Sequence, residues 1–269
     1  MGNTITDFVF DDKKLSDFGY ILCVFDNAST ETKPVSEITF NTFKAPKSDK
    51  WIKISNKYND PLTTTLHICK KICNNENDEF YITDDDMSEI VKWLCRKQYK
   101  QFRLLDYKYN DVYFEAQINV GKIVFGDNII GLELNVQTNR PYGLTDLYDL
   151  DFTTNENNKF SITVDTDEEG ILYPDIVTIK CLENGDLSFT NEFDNSNTTI
   201  ENCVSGEVIT FDCKTLQITS NIDTHDIYNG FNYTYPHLCS MYENYKNDFV
   251  CNMKAEINVK YRGIRKVGL

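Results

Sequence analysis

From Tyr81 to Tyr142 the periodicity of the chain changes once, from helical to alternating. That change restricts this part of the molecule to a helix laid on antiparallel strands. Thr83 is placed to cap the helix. Asp84, Asp85 and Asp86 fill its first turn, where unpaired backbone N–H groups and the helix dipole favour negative charge. Asp86 follows Thr83 at capping-box spacing. Met87, Ile90, Val91 and Leu94 then share one face, and Lys92, Arg96 and Lys97 sit toward the far end, which predicts a helix over 84–97. Residues 101–105 form a short strand candidate. Val112, Phe114, Ala116, Ile118 and Val120 alternate next, and Gly126-Asp127-Asn128 reads as a turn. Ile130, Leu132, Leu134 and Val136 alternate on the way back, so a two-stranded ribbon is expected before the break at Asn139-Arg140-Pro141-Tyr142.

Upstream, Phe8-Val9-Phe10 opens a strand. Residues 18–25 are apolar on both faces, which predicts a strand that is central or in an interface. Residues 38–43 form a third strand, 44–50 a polar loop containing Pro46, 51–54 a new strand and 62–73 another; 74–79 is an acidic, Asn-rich turn. Residues 139–158 are mostly polar apart from Leu147, Leu150 and Phe152, and a linker and domain boundary are expected near 140–150. Beyond them no helix is evident. Strand candidates recur at 160–164, 175–181, 187–190, 207–212, 216–219, 231–233 and 255–261, the spacing of an all-β sandwich of jelly-roll type. The expected fold is mainly β: an N-terminal β-sandwich with one α-helix (α+β) over 1–142, then a C-terminal β-sandwich over 143–269.

The net charge is −15, and most of it falls in residues 141–269. Such a surface argues against wrapping a phosphate backbone, so no specific nucleic-acid binding is expected. No run of about 18 apolar residues occurs, so no membrane span is expected. The first residues lack the basic start and apolar core of a secretory signal, and the faint match of Gly2 and Thr6 to a myristoylation pattern reads as an ordinary start. Nine scattered cysteines, several inside strand patterns (Cys23, Cys95, Cys181, Cys251), point to reduced thiols and a reducing compartment.

Catalytic motifs are lacking: there is no Gly-x-Ser-x-Gly elbow and no phosphate-binding Gly-x-x-x-x-Gly-Lys loop. His237, in Tyr235-Pro236-His237-Leu238, reads as a loop or strand-edge residue. A hydrolase would need a deep pocket holding His225 or His237 beside a carboxylate or thiol. His67, Cys69 and Cys73 would share one strand face, but a zinc site needs a fourth ligand and knuckle turns, so a half-buried strand is the reading. Asp165 to Gly170 lacks EF-hand spacing and reads as an acidic turn. No metal or cofactor is implied. Trp51 and Trp93 both lie in the first domain, Trp93 on the helix as packing. The second offers Tyr228, Tyr233, Tyr235, Tyr242 and Tyr245, so a sugar-binding groove stays open beside a scaffold sandwich.

Several stretches, in order along nearly the whole chain, resemble the distal tail proteins (Dit) of long-tailed phages of Gram-positive bacteria. They are Phe8-Val9-Phe10 with 15–19 and Cys23; Val91–Leu94 with 102–106 and Tyr113–Gln117; and Gly131–Leu134 with Thr138–Tyr142. In the second half they are Tyr173–Ile176, Asn184–Asp186, Gly206–Asp212, Phe231–Pro236 and Ile257–Arg262. The resemblance implies a virion structural protein and no enzyme. It implies a homo-hexameric ring that leaves a channel for DNA and joins the tail tube protein to the tail-associated lysin or tail-tip hub. It also implies a galectin-like second domain that projects outward, in some cases toward a receptor-binding protein, and a place at the tail tip or baseplate after assembly in the bacterial cytoplasm. The both-face apolar N-terminal strands and the Lys44–Lys57 segment are the expected inter-subunit contacts, with Phe8, Phe10, Phe18, Tyr20, Leu22, Lys50 and Trp51 as candidate interface residues. The alternative is a carbohydrate-binding adhesin that attaches to the host cell surface.

Overall fold

The computed structural model describes residues 7–25, 36–71, 81–105, 110–154, 159–241 and 245–267. Two compact units make up the chain, Met1–Leu144 with Lys266–Leu269, and Thr145–Arg265. A single cut after residue 142 does not assign the last residues to the first unit, where Val267 packs against the core.

In the first unit the strands are β1 (Phe8–Phe10), β2 (Lys13–Lys14), β3 (Tyr20–Cys23), β4 (Ile38–Lys44), β5 (Trp51–Tyr58) and β6 (Thr63–Lys70). The helix α1 (Asp84–Leu94) follows, then β7 (Lys100–Leu104), β8 (Val112–Phe125), β9 (Asn128–Thr138) and β10 (Gly143–Thr145). One sheet runs β2-β1-β7-β8-β9-β6-β3, with β10 beside β8, while β4 and β5 form a separate two-stranded ribbon. The capping box holds α1: Thr83 Oγ1 accepts the Asp86 N–H, and Asp86 Oδ2 accepts the Thr83 N–H at 2.9 Å. Asp86 also pairs with Lys70 at 2.6 Å. Burial pushes its carboxyl up, yet the bonds from Lys70 and Thr83 hold it below the usual range.

The helix buries Ile90, Trp93 and Leu94 in a core with Phe8, Phe10, Phe102, Phe114, Ile118, Leu132 and Leu134. Trp93 organises that core. Its ring stacks on Phe18 at 4.3 Å and on Phe8 at 5.8 Å, and its indole N–H donates to the Phe10 carbonyl at 2.9 Å. The helix ends at Leu94, three residues short of the sequence expectation, because Cys95 leaves helical geometry at ψ 83°. Strand β3 lies at the sheet edge rather than at its centre: Val24, just past it, is exposed. Of His67, Cys69 and Cys73, expected on one face of a half-buried strand, Cys73 lies outside the described residues, as does the 74–79 turn.

In the second unit the strands are β11 (Tyr148–Thr153), β12 (Lys159–Val164), β13 (Glu169–Leu172), β14 (Ile176–Cys181), β15 (Gly185–Asn191), β16 (Ser196–Cys203), β17 (Val208–Asp212) and β18 (Gln217–Ser220). A one-turn helix α2 (Ile227–Gly230) precedes β19 (Leu238–Met241), β20 (Tyr245–Cys251) and β21 (Ala255–Tyr261). A sheet β11-β21-β14-β17-β18 and a sheet β12-β20-β15-β16, with a small β13-β19 pair, enclose one apolar core. Phe160, Phe189 and Phe249 stack at its centre, 5.0–5.8 Å apart. The two-sheet all-β design matches the sequence expectation.

Two details differ. Strand β11 begins at Tyr148, inside the stretch expected to be a linker, and pairs along its length with β21; its exposed Asp149 and Asp151 both accept from Asn258. Phe231–Tyr233 is not a strand. Phe231 makes a lone bridge to Ile200, and Tyr233 takes a positive φ of 60°.

Candidate assembly surface

The ribbon of β4 and β5 is the least self-sufficient part of the first unit. Its sequence alternates apolar and cationic residues: Phe40, Phe43, Trp51, Ile52 and Ile54 with Lys44, Lys50, Lys53 and Lys57. The strands pair antiparallel from Ile38↔Tyr58 to Lys44↔Trp51, and Ile54 is the extra residue of a bulge opposite Asn41 and Thr42. At its base, Tyr58 packs edge-on against Tyr142, Asn59 N–H donates to Glu37 O at 3.0 Å, and Asp60 N–H donates to Ser36 Oγ. Above that base its large apolar side chains are exposed among the described residues. Trp51 is 62% exposed, Ile54 71%, Phe40 55%, and Phe43 and Ile52 51% each. Lys44 lies over the Trp51 ring and Lys53 over the Phe40 ring, 5.9 and 5.8 Å from the centroids. Two strands alone are marginal in water. Among the described residues the ribbon therefore presents an exposed apolar surface. A second tip, Val124 and Phe125 at the end of the β8–β9 hairpin, is also exposed.

The sequence-predicted contact residues separate into two groups. Phe8 and Phe10 are fully buried and Tyr20 nearly so, Phe18 stacks on Trp93, and Leu22 packs on the same core. Their apolar character serves the subunit's own interior, so Phe8, Phe10 and Tyr20 offer no side-chain surface to a neighbour. Lys50 and Trp51 are exposed and lie together on the ribbon. Phe40, Phe43, Ile52 and Ile54 belong with them. Their signal was present as apolar alternation, but alternation does not tell a face buried within a subunit from one buried between subunits.

Each of the three histidines faces a carboxylate: His67 with Glu133 at 3.7 Å, His225 with Glu207 at 2.6 Å and His237 with Asp194 at 2.7 Å. His225 borders an open cavity of about 420 Å³ lined also by Glu201, Asn202, Asp226 and Asn229. Its Nδ1 is held by Glu207, which also accepts from Ser220 Oγ and the Val204 N–H. Burial opposes the charge on both partners. Those hydrogen bonds overcome it, holding the Glu207 carboxyl low and the His225 imidazole high.

His237 has a carboxylate and the Cys239 thiol nearby. Its two ring nitrogens are, however, engaged by Asp194 and by the Tyr235 carbonyl. Burial and the Asp194 carboxylate push the Cys239 thiol up to about 11, so the thiol stays protonated and is a poor nucleophile. Asp165 and Asp167 of the acidic turn pair with Arg265.

Among the tyrosines of the second unit, Tyr228 and Tyr233 are exposed. Tyr233 donates to the Tyr228 carbonyl, and Tyr235 donates to the Leu216 carbonyl. Tyr245 packs on Phe193, and Tyr242 lies outside the described residues.

No curated protein matches the chain. Among solved structures, the crystal structure of the SPP1 Dit protein, described as a paradigm of the hub adsorption apparatus in Gram-positive infecting phages, superposes with a TM-score of 0.64. The alignment covers 96% of this chain and 99% of that one at 10% identity, a likeness of fold. Residues 3–140 match the family model of a phage tail protein N-terminal domain, and residues 142–261 match that of a phage tail C-terminal domain. With both domains in order along its length, this chain belongs to the phage tail proteins.

Proposed function

We propose that this protein is a distal tail hub, a homo-hexameric ring at the tail tip whose channel passes DNA and which carries no catalytic activity. In that role the tail tube protein lies on one side and the tail-associated lysin or tail-tip hub on the other. A receptor-binding protein is a further partner, and the ring assembles in the bacterial cytoplasm. The observation that carries this reading is the fold likeness to the SPP1 hub protein, which runs through both domains rather than one. The exposed ribbon supports it: an apolar, lysine-bearing hairpin on a chain of net charge −15 has its natural cover on a second copy of the same chain. We assign Trp51, Phe40, Phe43, Ile52 and Ile54 to the contact between neighbouring subunits, with Lys50 at its rim. A net-negative chain also suits a channel that DNA must traverse without sticking.

Negative-stain electron microscopy of the purified chain tests the proposal. Six-fold rings with a central hole are the expected result, and monomers at every concentration tried would rule it out. A second reading, sugar binding by the second unit, rests on Tyr228, which is exposed on the one-turn helix bordering the polar cavity. Co-sedimentation of the protein with purified cell-wall polysaccharide, lost on Tyr228→Ala, would favour it.

A further inference from the structure

We propose that Asp194, His237 and Cys239 form a zinc-binding site in the second unit, a metal staple between the β15–β16 turn and the segment leading into β19. The inference is independent of the hub reading. Asp194 lies on that turn, beside Asn195 at a φ of 59°, and the other two residues lie on the opposite segment. One carboxylate oxygen, one ring nitrogen and the Cys239 sulfur lie within 4.8 Å of one another. Zinc holds such donors at about 2.0–2.3 Å, which spaces neighbouring ligand atoms roughly 3.3–3.7 Å apart, so the widest of the three separations closes by little more than about 1 Å while the Asp194–His237 pair, now 2.7 Å apart, opens by about 0.6 Å or more. Oxygen, nitrogen and sulfur together are the donor set of a borderline-soft ion and do not suit magnesium or calcium. Three protein ligands leave a fourth position for water or for a side chain from elsewhere.

The surroundings are those of a built site. His237 Nδ1 lies 3.3 Å from the Tyr235 carbonyl and Nε2 lies 2.7 Å from the Asp194 carboxylate, so the ring is held on both sides with one nitrogen beside the carboxylate. Tyr173 packs edge-on against the imidazole at 5.8 Å and fixes its plane. Behind the ligands, two buried asparagines pin the backbone. Asn247 Oδ1 accepts the Cys239 N–H at 2.7 Å and its Nδ2 donates to the Cys239 carbonyl at 2.8 Å, while Asn191 Nδ2 donates to Asn247 Oδ1 and to the His237 carbonyl. Cys239 and His237 are almost wholly buried and Asp194 reaches solvent, so an ion has an entry path past the turn. Binding displaces the thiol proton, which goes to solvent, and the sulfur enters as thiolate.

The test uses the full chain, freed of metal by a chelator and titrated with cobalt(II) as a spectroscopic stand-in for zinc. One equivalent of cobalt should produce a near-ultraviolet thiolate-to-cobalt charge-transfer band, which zinc(II) then bleaches, and zinc should raise the thermal midpoint. Cys239→Ser should abolish the band, and His237→Gln and Asp194→Asn should each weaken binding by roughly tenfold or more. Failure to bind cobalt would mean a histidine–carboxylate pair with a neighbouring thiol only, and would overturn the proposal. So would an unchanged band in Cys239→Ser, which would place the ion on other cysteines. Should Cys239→Ser not fold, Asp194→Asn decides, because Asp194 sits on an exposed turn: unchanged cobalt affinity there also overturns the site.

Discussion

Replacing Phe43 and Trp51 by serine separates the ribbon's role in assembly from any role in the fold of the subunit. Fully covering an aromatic side chain removes about 150–250 Å² from water. Phe43 keeps 51% of its surface exposed and Trp51 62%, so roughly 100–150 Å² of each awaits cover. At about 25 cal/mol/Å² the ceiling is about 2.5–4 kcal/mol per ring. Imperfect closure and ordering costs lower that figure, and about 2 kcal/mol each is expected, the range of an interface anchor. A loss of about 2 kcal/mol weakens a contact roughly 30-fold. Within the free subunit the same rings touch little, and their cross-strand contribution is about 0.2–1 kcal/mol. Sedimentation velocity across a concentration series, with thermal unfolding measured on the same samples, reads both quantities. The expected outcome is a double variant that stays monomeric at concentrations where the parent chain is assembled, with a nearly unchanged midpoint for the monomer. An assembly that survives the double substitution would refute the assignment of the ribbon to the subunit contact.

Trp93→Phe removes the indole N–H that satisfies the Phe10 carbonyl, so denaturant unfolding should show a loss of about 1–3 kcal/mol, more than the change in ring size alone implies. A Cβ at Gly263 would stand 2.0 Å from the Asp165 carbonyl oxygen, and Gly263→Ala should therefore destabilise the chain by about 1–3 kcal/mol or prevent soluble expression. The Glu207–His225 pair should give a pH-dependent stability. His225 is raised above 6.5, so its contribution is complete below 6.5 and is lost as pH rises through the higher folded value. Glu207 is depressed below 4.5, so its contribution is complete above 4.5 and is lost as pH falls through the lower folded value. The thermal midpoint of His225→Asn should therefore fall furthest below that of the parent between pH 4.5 and 6.5, and a deficit that grows steadily above that window would contradict the assigned ion pair.

Where local chemistry decides structure, the sequence was readable. Thr83 and Asp86 announce α1, and the alternation from Val112 to Val136 announces the β8–β9 hairpin, because a cap and a period need only near neighbours. Where a partner far along the chain decides, it was not. Strand β20 turns Asn247 inward, a polar residue at a core position, because its amide closes on the Cys239 backbone. Strand β16 shows a polar run whose inward residues are Thr198, Ile200 and Cys203. Strand β11 carries its pattern in Tyr148, Leu150 and Phe152, diluted by Asp149 and Asp151, whose partner Asn258 lies more than a hundred residues away. The ligand set of the zinc proposal was only partly visible: His237 and Cys239 are two residues apart, but Asp194 comes from a turn more than forty residues upstream and is brought to them by the fold.

The composition of the ribbon bears on the symmetry of the proposed assembly. A two-fold contact sets a patch against its own copy. A ribbon carrying Lys44, Lys47, Lys50, Lys53 and Lys57 would then face the same five lysines, with Asp49 the acidic residue between the strands, and like charges at close range are unfavourable. The rest of the chain is strongly acidic, so the ribbon's charge is met best by a surface other than itself. That makes the favoured contact heterologous, running from the ribbon of one subunit to a different face of the next. Heterologous contacts propagate until the rotation closes, and the closed product is a ring. The exposed rings supply the affinity and the lysines the direction, so the features that leave this hairpin marginal on a lone subunit suit it to a cyclic hub.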